Sequence, residues 1–391
     1  MSIQIRCADS GVAVDRAVFT ALFDNSVVSE RAPYLRALRT GEMPLAQLVD
    51  LSRKADIPYA LFFAPEAVVF SQLKKKRDLL LAGISKDAFS INSRSQVRLT
   101  DIELIVKDLL RKQATLKSLD HSLIPNAVVG CLKGAPLSVP DSACKVREVL
   151  GLDLHALRAA RTKEKALDLL ISQLEAAQIL VAQSQQNFMP QRLSKSARFS
   201  GLCIRDRKIP FIFLTGGDAG DNPEPAGRKL FTLTLLTVLV ASGKFAAVTY
   251  DDYSPEPIIN REYELTEEIL IPASDVASCD VSTLEAAKAA ADTFRVTPSA
   301  LVMRARRLGM LSRAEAAGYL EQLIDEYRSR PKTRSNTPKL VNALRKYNGV
   351  EYSHRMVIQL DKGSITPGDF CRVVCQNRIR PHQIPQFREA L

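Results

Sequence analysis

"GRKLFTLTLLTVLVASG", Gly227 to Gly243, is an apolar run closed by glycine at either end. From Leu230 to Ala241 only threonines interrupt its apolar side chains. A helix apolar on nearly every side belongs inside a sizeable core. The run is shorter than the ~18–20 apolar residues that cross a bilayer. On its own terms it is a core helix of Leu, Thr and Val. Its surroundings say more. Before it, "RFSGLCIRD" and "IPFIFLT" are short β-type runs separated by the polar turn Arg205–Lys208. "GGDAGDNPEPAG" then reads as a plain connection, because it lacks the GK[ST] ending of a phosphate loop. After it, "EYELTEEILIPASDV" leads into "STLEAAKAAADTFRVTPSALVMRARRLGML", two helices joined at "RVTP".

The remainder of the 391 residues is mostly helical in pattern. Residues 14–65 predict a compact helical unit, with Leu45, Leu48, Val49 and Leu51 at helical spacing. Gly41 ends one helix there and Pro44 opens the next. Ile102, Leu104, Ile105, Leu109 and Leu110 predict a connecting helix between domains. "DSACKVREVLGLD" and "RTKEKALDLLISQLEAAQILV" predict two more helices. The expected fold is therefore α+β and mostly helical, with a small mixed or antiparallel sheet. The expected domains are residues 1–66, 67–135, 136–295 and 296–391, the last a basic helical region.

Composition is ordinary for a globular protein, 46% apolar and 25% charged. The first residues carry acid early and no apolar core of signal-peptide kind, so a cytoplasmic protein with no membrane partner is expected. The seven cysteines are scattered and odd in number, which argues against a disulfide framework. Cys371 and Cys375 in "CRVVC" read as small core residues; a metal pair there would need two more ligands, with only His382 close. Net charge is +11, and residues 295–391 hold 18 Lys and Arg against 8 Asp and Glu. Such a surface suits a polyanion or an acidic protein, unless it is simply a solvated face.

The order of these pieces resembles the ImmA/IrrE metallopeptidase family, in its long form with an N-terminal Xre-type helix-turn-helix. "GEMPLAQLVDLSRKADIPYALFF", "REVLGLD", "LLISQLEAAQILV", "FSGLCIRDRKIPFIFLT", "FTL" with its apolar helix, "EEILIP" and "FRVTPSALVMRARRLGML" carry the likeness, from about Leu22 to the end. The resemblance implies a zinc helix bearing His-Glu-x-x-His, two imidazoles on one face and a glutamate as general base. Leu235, Leu236 and Leu239 occupy those three positions, with Thr237 and Val238 between. The acidic third ligand would fall near Ile258–Asn260; Glu262 and Glu264 are the nearest carboxylates, out of register. The four histidines are His121, His155, His354 and His382, none of them between 200 and 300.

Leucine coordinates no metal, so the expectation is a pseudo-peptidase without cofactor. Other chemistries fare no better. G-x-S-x-G is absent, Cys203 has no histidine near it in sequence, and Asp251–Asp252 is an isolated pair. What remains is binding. Arg31, Arg36 and Arg39 lie in "SERAPYLRALRTGE", the expected recognition segment, which Pro33 is expected to shorten. Arg304, Arg306 and Arg307 form a second cluster facing an anion, or else a solvated helix end. The expected function is a transcriptional regulator or antitoxin that binds operator DNA or a partner such as a toxin, with a homo-oligomer left open. A working zinc peptidase that cleaves a repressor is the alternative.

Overall fold

The computed structural model describes residues 2–7, 10–24, 26–82, 99–134, 137–193, 199–216, 224–249, 261–329 and 338–391. Two sheets organise it. The first is small and N-terminal, and it corrects the expectation of an all-helical unit. "SIQIRC" forms β1 (Ser2–Cys7) and "SGVAVD" forms β2 (Ser10–Asp15), paired antiparallel. Alternation in β1 sends Ile3 and Ile5 inward. A third strand, β3 (Glu42–Pro44), runs parallel to β1, giving the order β2-β1-β3.

Helices Arg16–Asp24, Ala32–Thr40 and Leu45–Lys54 pack on this sheet around Phe19, Phe23, Tyr34 and Phe62. The Phe23 and Phe62 rings lie 4.6 Å apart, and Phe19 meets Phe23 edge-on at 5.2 Å. Gly41 closes its helix at φ 75°, a left-handed conformation that glycine adopts without Cβ strain.

The second sheet is mixed. Its strands are β4 (Leu180–Gln183), β5 (Phe199–Ile204), β6 (Phe211–Leu214) and β7 (Ala247–Thr249), in the order β4-β6-β5-β7. β4 and β6 are parallel; the other pairs are antiparallel. Side chains alternate between two separate cores. Val181, Cys203, Ile212, Leu214 and Val248 face one; Leu180, Leu202, Ile204, Phe211, Phe213 and Ala247 face the other. A sheet covered on both faces needs apolar residues at every position, which is why "FIFL" is apolar throughout.

The first core is closed by helices Val139–Leu150, Lys163–Ala176, Ala226–Ala241, Arg261–Leu270, Leu284–Thr293 and Pro298–Arg307. The second is closed by Leu99–Leu119 together with Leu340–Asn348, Val350–Asp361, Pro367–Val373 and Ile384–Glu389.

Three expectations change here. The helix expected to run through Val181 ends at Ala176; Gln178 turns left-handed at φ 57° and the chain leaves as β4. The boundary at 295/296 cuts through one core, since Phe294, Val296, Leu301 and Ala305 share it. The C-terminal quarter beyond residue 338 is no appendage but a layer on the sheet. It is fixed to helix Leu99–Leu119 by a buried polar knot. Lys112 Nζ lies 2.9 Å from Asp108, and the Tyr347 hydroxyl donates to Asp108 at 2.8 Å. Burial lowers the Lys112 ammonium, opposed by Asp108, and pushes the Tyr347 phenol up. The same Leu99–Leu119 helix reaches the N-terminal unit through Lys107, 3.3 Å from Asp56.

Several helices start where the sequence places a cap. Thr297 and Thr366 each accept an amide from three residues on, with Pro298 and Pro367 at the first helical position.

Candidate functional site

Helix Ala226–Ala241 lies on β5, and twelve of its sixteen residues are buried. Leu235, Leu236 and Leu239 are all within 1% of full burial. Leu236 packs on Gly201 of β5 so closely that a Cβ there would sit 2.8 Å from Leu236 Cδ1 and 2.6 Å from the Phe213 carbonyl oxygen. The buried threonines satisfy themselves: Thr234 and Thr237 hydroxyls donate back to the carbonyls of Leu230 and Leu233 at 2.9 and 2.8 Å. At the helix start, Gly227 permits backbone contact, because a Cβ there would meet the Val296 carbonyl carbon at 2.8 Å and the Thr297 nitrogen at 2.9 Å. The three positions thus lie in packed hydrocarbon.

The nearest carboxylates are committed elsewhere. Glu262 is buried and ion-paired with Lys244, and Glu264 is half-buried one turn in from the helix start. Residues 258–260 and Asp251–Asp252 lie outside the described residues. Among the described residues, no three His, Cys, Asp or Glu side chains gather as metal ligands do. Cys203 is fully buried, and burial pushes its thiol up to about 12, so it is held as a neutral thiol. Cys371 and Cys375 are buried in the second core, while His382 is exposed.

The C-terminal arginine cluster turns inward, against expectation. Arg304 is 5% exposed and pairs with Glu268; its Nε donates to the Ile271 carbonyl at 3.2 Å. Arg307 pairs with Glu267, whose carboxyl is pushed up by burial against the pull of Arg307 and Arg304. Arg306 and Arg307 are both half-exposed, and only Arg304 of the three is buried. The physical reason is the "TEE" of helix Arg261–Leu270: two glutamates inside a core need cations of fixed geometry, and arginine supplies them. Nothing in the local sequence of either helix announces this pairing across more than thirty residues.

The N-terminal cluster stays outside. Helix Ala32–Thr40 buries Tyr34 and Ala37 and exposes Arg36 and Arg39; Arg31 is its exposed N-cap. Pro33 occupies the first turn, where its missing N–H costs no hydrogen bond, so it opens the helix rather than shortening it. Leu35 stands between these arginines, 46% exposed. Two residues that the sequence reading missed hold this helix in place. The Tyr34 hydroxyl donates to Asp24, and Arg16 Nη2 donates to the Leu38 carbonyl at 2.9 Å. Burial first, then Asp24, drive the Tyr34 phenol well above its ordinary range, so it remains a donor. Arg31, Arg36 and Arg39 pair with no acid among the described residues.

No helix among the described residues is long and apolar enough to cross a membrane. Comparison with protein-family models, curated proteins and solved structures returned no match.

Proposed function

We propose that this protein is a non-catalytic regulatory binding protein, a transcriptional regulator or antitoxin on an ImmA/IrrE-like scaffold, which contacts operator DNA through helix Ala32–Thr40. The observation that carries the reading is the exposed set Arg31, Arg36 and Arg39, ion-paired with no acid among the described residues, around an exposed Leu35. Arginine forks suit phosphates and the guanine edge, and a leucine between them suits a thymine methyl. The helix is braced from behind by Tyr34 and Arg16, which gives it the rigidity that docking in a groove requires. Its non-catalytic side rests on the hydrocarbon at Leu235, Leu236 and Leu239, where the family resemblance calls for imidazole and carboxylate.

A partner protein is the second reading. It draws on helix Arg313–Ser329, which buries only Ala316 and leaves Ile324 and Tyr327 exposed by 44% and 38%.

The test is binding of purified full-length protein to labelled DNA from upstream of its own gene across a salt series. The expected result is specific binding that weakens steeply with salt and is lost in Arg36→Ala/Arg39→Ala. Binding unchanged in that variant, or none at low salt, overturns the DNA reading. Metal analysis of the same protein addresses the non-catalytic part: stoichiometric zinc lost on Glu262→Gln or Glu264→Gln would overturn it.

A further inference from the structure

Glu175 is the penultimate residue of helix Lys163–Ala176, in the first core's layer, yet its side chain crosses to the layer on the other face of the sheet. It is 6% exposed. Its Oε2 accepts the Glu351 amide at 3.2 Å, at the start of helix Val350–Asp361. Its Oε1 has no hydrogen-bond partner among the described residues and faces Gly349. Gly349 is the corner between helices Leu340–Asn348 and Val350–Asp361, at φ 86° and ψ 151°, a conformation essentially reserved for glycine. A Cβ there would lie 2.7 Å from Glu175 Oε1 and 2.7 Å from the Val181 carbonyl oxygen of β4. One carboxyl therefore touches three elements: its own helix, the corner of the C-terminal layer and, next to them, strand β4.

We propose that Glu175 is a proton-operated latch: protonated, it seats the Gly349 corner on the sheet, and ionised, it loosens that corner and the start of helix Val350–Asp361. The physical conflict is local. A helix N-terminus favours a carboxylate, but the end of Glu175's own helix and the dry surroundings do not. Burial dominates and pushes the carboxyl up to about 7, against the amides of Glu351, Val181 and Val350 that draw it down. The charged group that faces it is Glu351, which favours the neutral acid; Glu351 is itself held by Arg355, which also grips Asp120 at 2.7 Å. Farther along that helix His354, and just past its end Lys362, are exposed and line a surface groove with Asp120. β4 offers only backbone here. Helix Ala226–Ala241, packed along Lys163–Ala176, carries no ionisable side chain beyond Arg228 and Lys229 in its first turn.

The sign follows from linkage. A carboxyl raised from 4.5 to about 7 in the closed state contributes stability fully below about 4.5 and loses it as pH rises to about 7. The corner opens on going from mildly acidic to mildly basic solution. This inference stands apart from DNA binding.

Amide hydrogen exchange of full-length protein tests it, following peptides across 345–356 between pH 5.5 and 8 and correcting for the intrinsic exchange rate. Wild type is expected to lose roughly tenfold or more of its protection there over that range. Glu175→Gln, which keeps shape and an accepting oxygen, is expected to show a flat response with the same far-UV spectrum. Glu351→Gln removes the facing like charge and is expected to leave a smaller response. A flat wild type, or a wild-type response retained in Glu175→Gln, overturns the latch; a response abolished only by Glu351→Gln assigns it to Glu351 and overturns it too.

Discussion

Two arginine-bearing helices of nearly equal length meet opposite ends in this molecule. Ala32–Thr40 carries "RALRT" on a small, separately cored N-terminal unit and holds Arg36 and Arg39 out in solvent. Pro298–Arg307 carries "RARR" and sinks Arg304 between two buried glutamates, with Arg307 closing over one of them. Their local sequences are alike; their partners are not. An arginine's role is set by whether the fold brings a carboxylate to it, and that carboxylate comes from a different helix. The buried set is a structural device and the exposed set is free for a ligand. One more C-terminal arginine goes the same way, since Arg355 is held by Asp120 and Glu351.

The contrast is open to direct attack. The largest effect is expected at the buried pair: Arg304→Ala strands Glu268 and lowers unfolding free energy by about 3–5 kcal/mol in denaturant titration. A loss below about 1 kcal/mol would mean the pair is solvated after all.

The next concerns the helix between them. Installing His-Glu-x-x-His as Leu235→His/Leu236→Glu/Leu239→His buries three polar groups and is expected to cost on the order of 3 kcal/mol without metal. Micromolar zinc is expected to return much of that loss, seen as a rise in Tm, if the scaffold is of the zincin type. No rise with zinc would break the family resemblance while leaving the exposed arginines untouched.

Gly227→Ala forces a methyl against the Val296–Thr297 backbone that begins the Arg304 helix; about 1–3 kcal/mol of destabilisation is expected by thermal melting. The smallest effect on the fold is the sharpest on function. Arg36→Ala or Arg39→Ala is expected to change stability by less than about 0.5 kcal/mol, yet to weaken DNA binding several-fold and reduce the salt slope by about 1.

Legibility in the sequence divides along the same line. The apolar run at 230–241 reads as a core helix because no face of it is polar, and it is one. The strand pair β5 and β6 is legible from two apolar runs about a polar turn. Gly41 and the opening at "RVTP" are legible because capping is local chemistry. β4 and β7 are not: "LVAQ" begins as an apolar continuation of the preceding helical pattern and "AVT" is only three residues, and they are strands because they pair with β6 and β5. The hairpin β1–β2 leaves only a weak trace: "SIQIRC" alternates, but it is six residues next to a strongly helical stretch.

Nearest neighbours alone fix several helix caps, the strand pair β5–β6, and an apolar helix with leucine at 235, 236 and 239. Which charges are paired and which faces are covered is set by the three-dimensional fold alone. It made the C-terminal helices a layer on a sheet, buried Arg304 and exposed Arg36. The reason is that pairing and burial depend on groups brought together from distant parts of the chain, such as Glu268 with Arg304 or Glu175 with Glu351. No window of neighbouring residues contains that information.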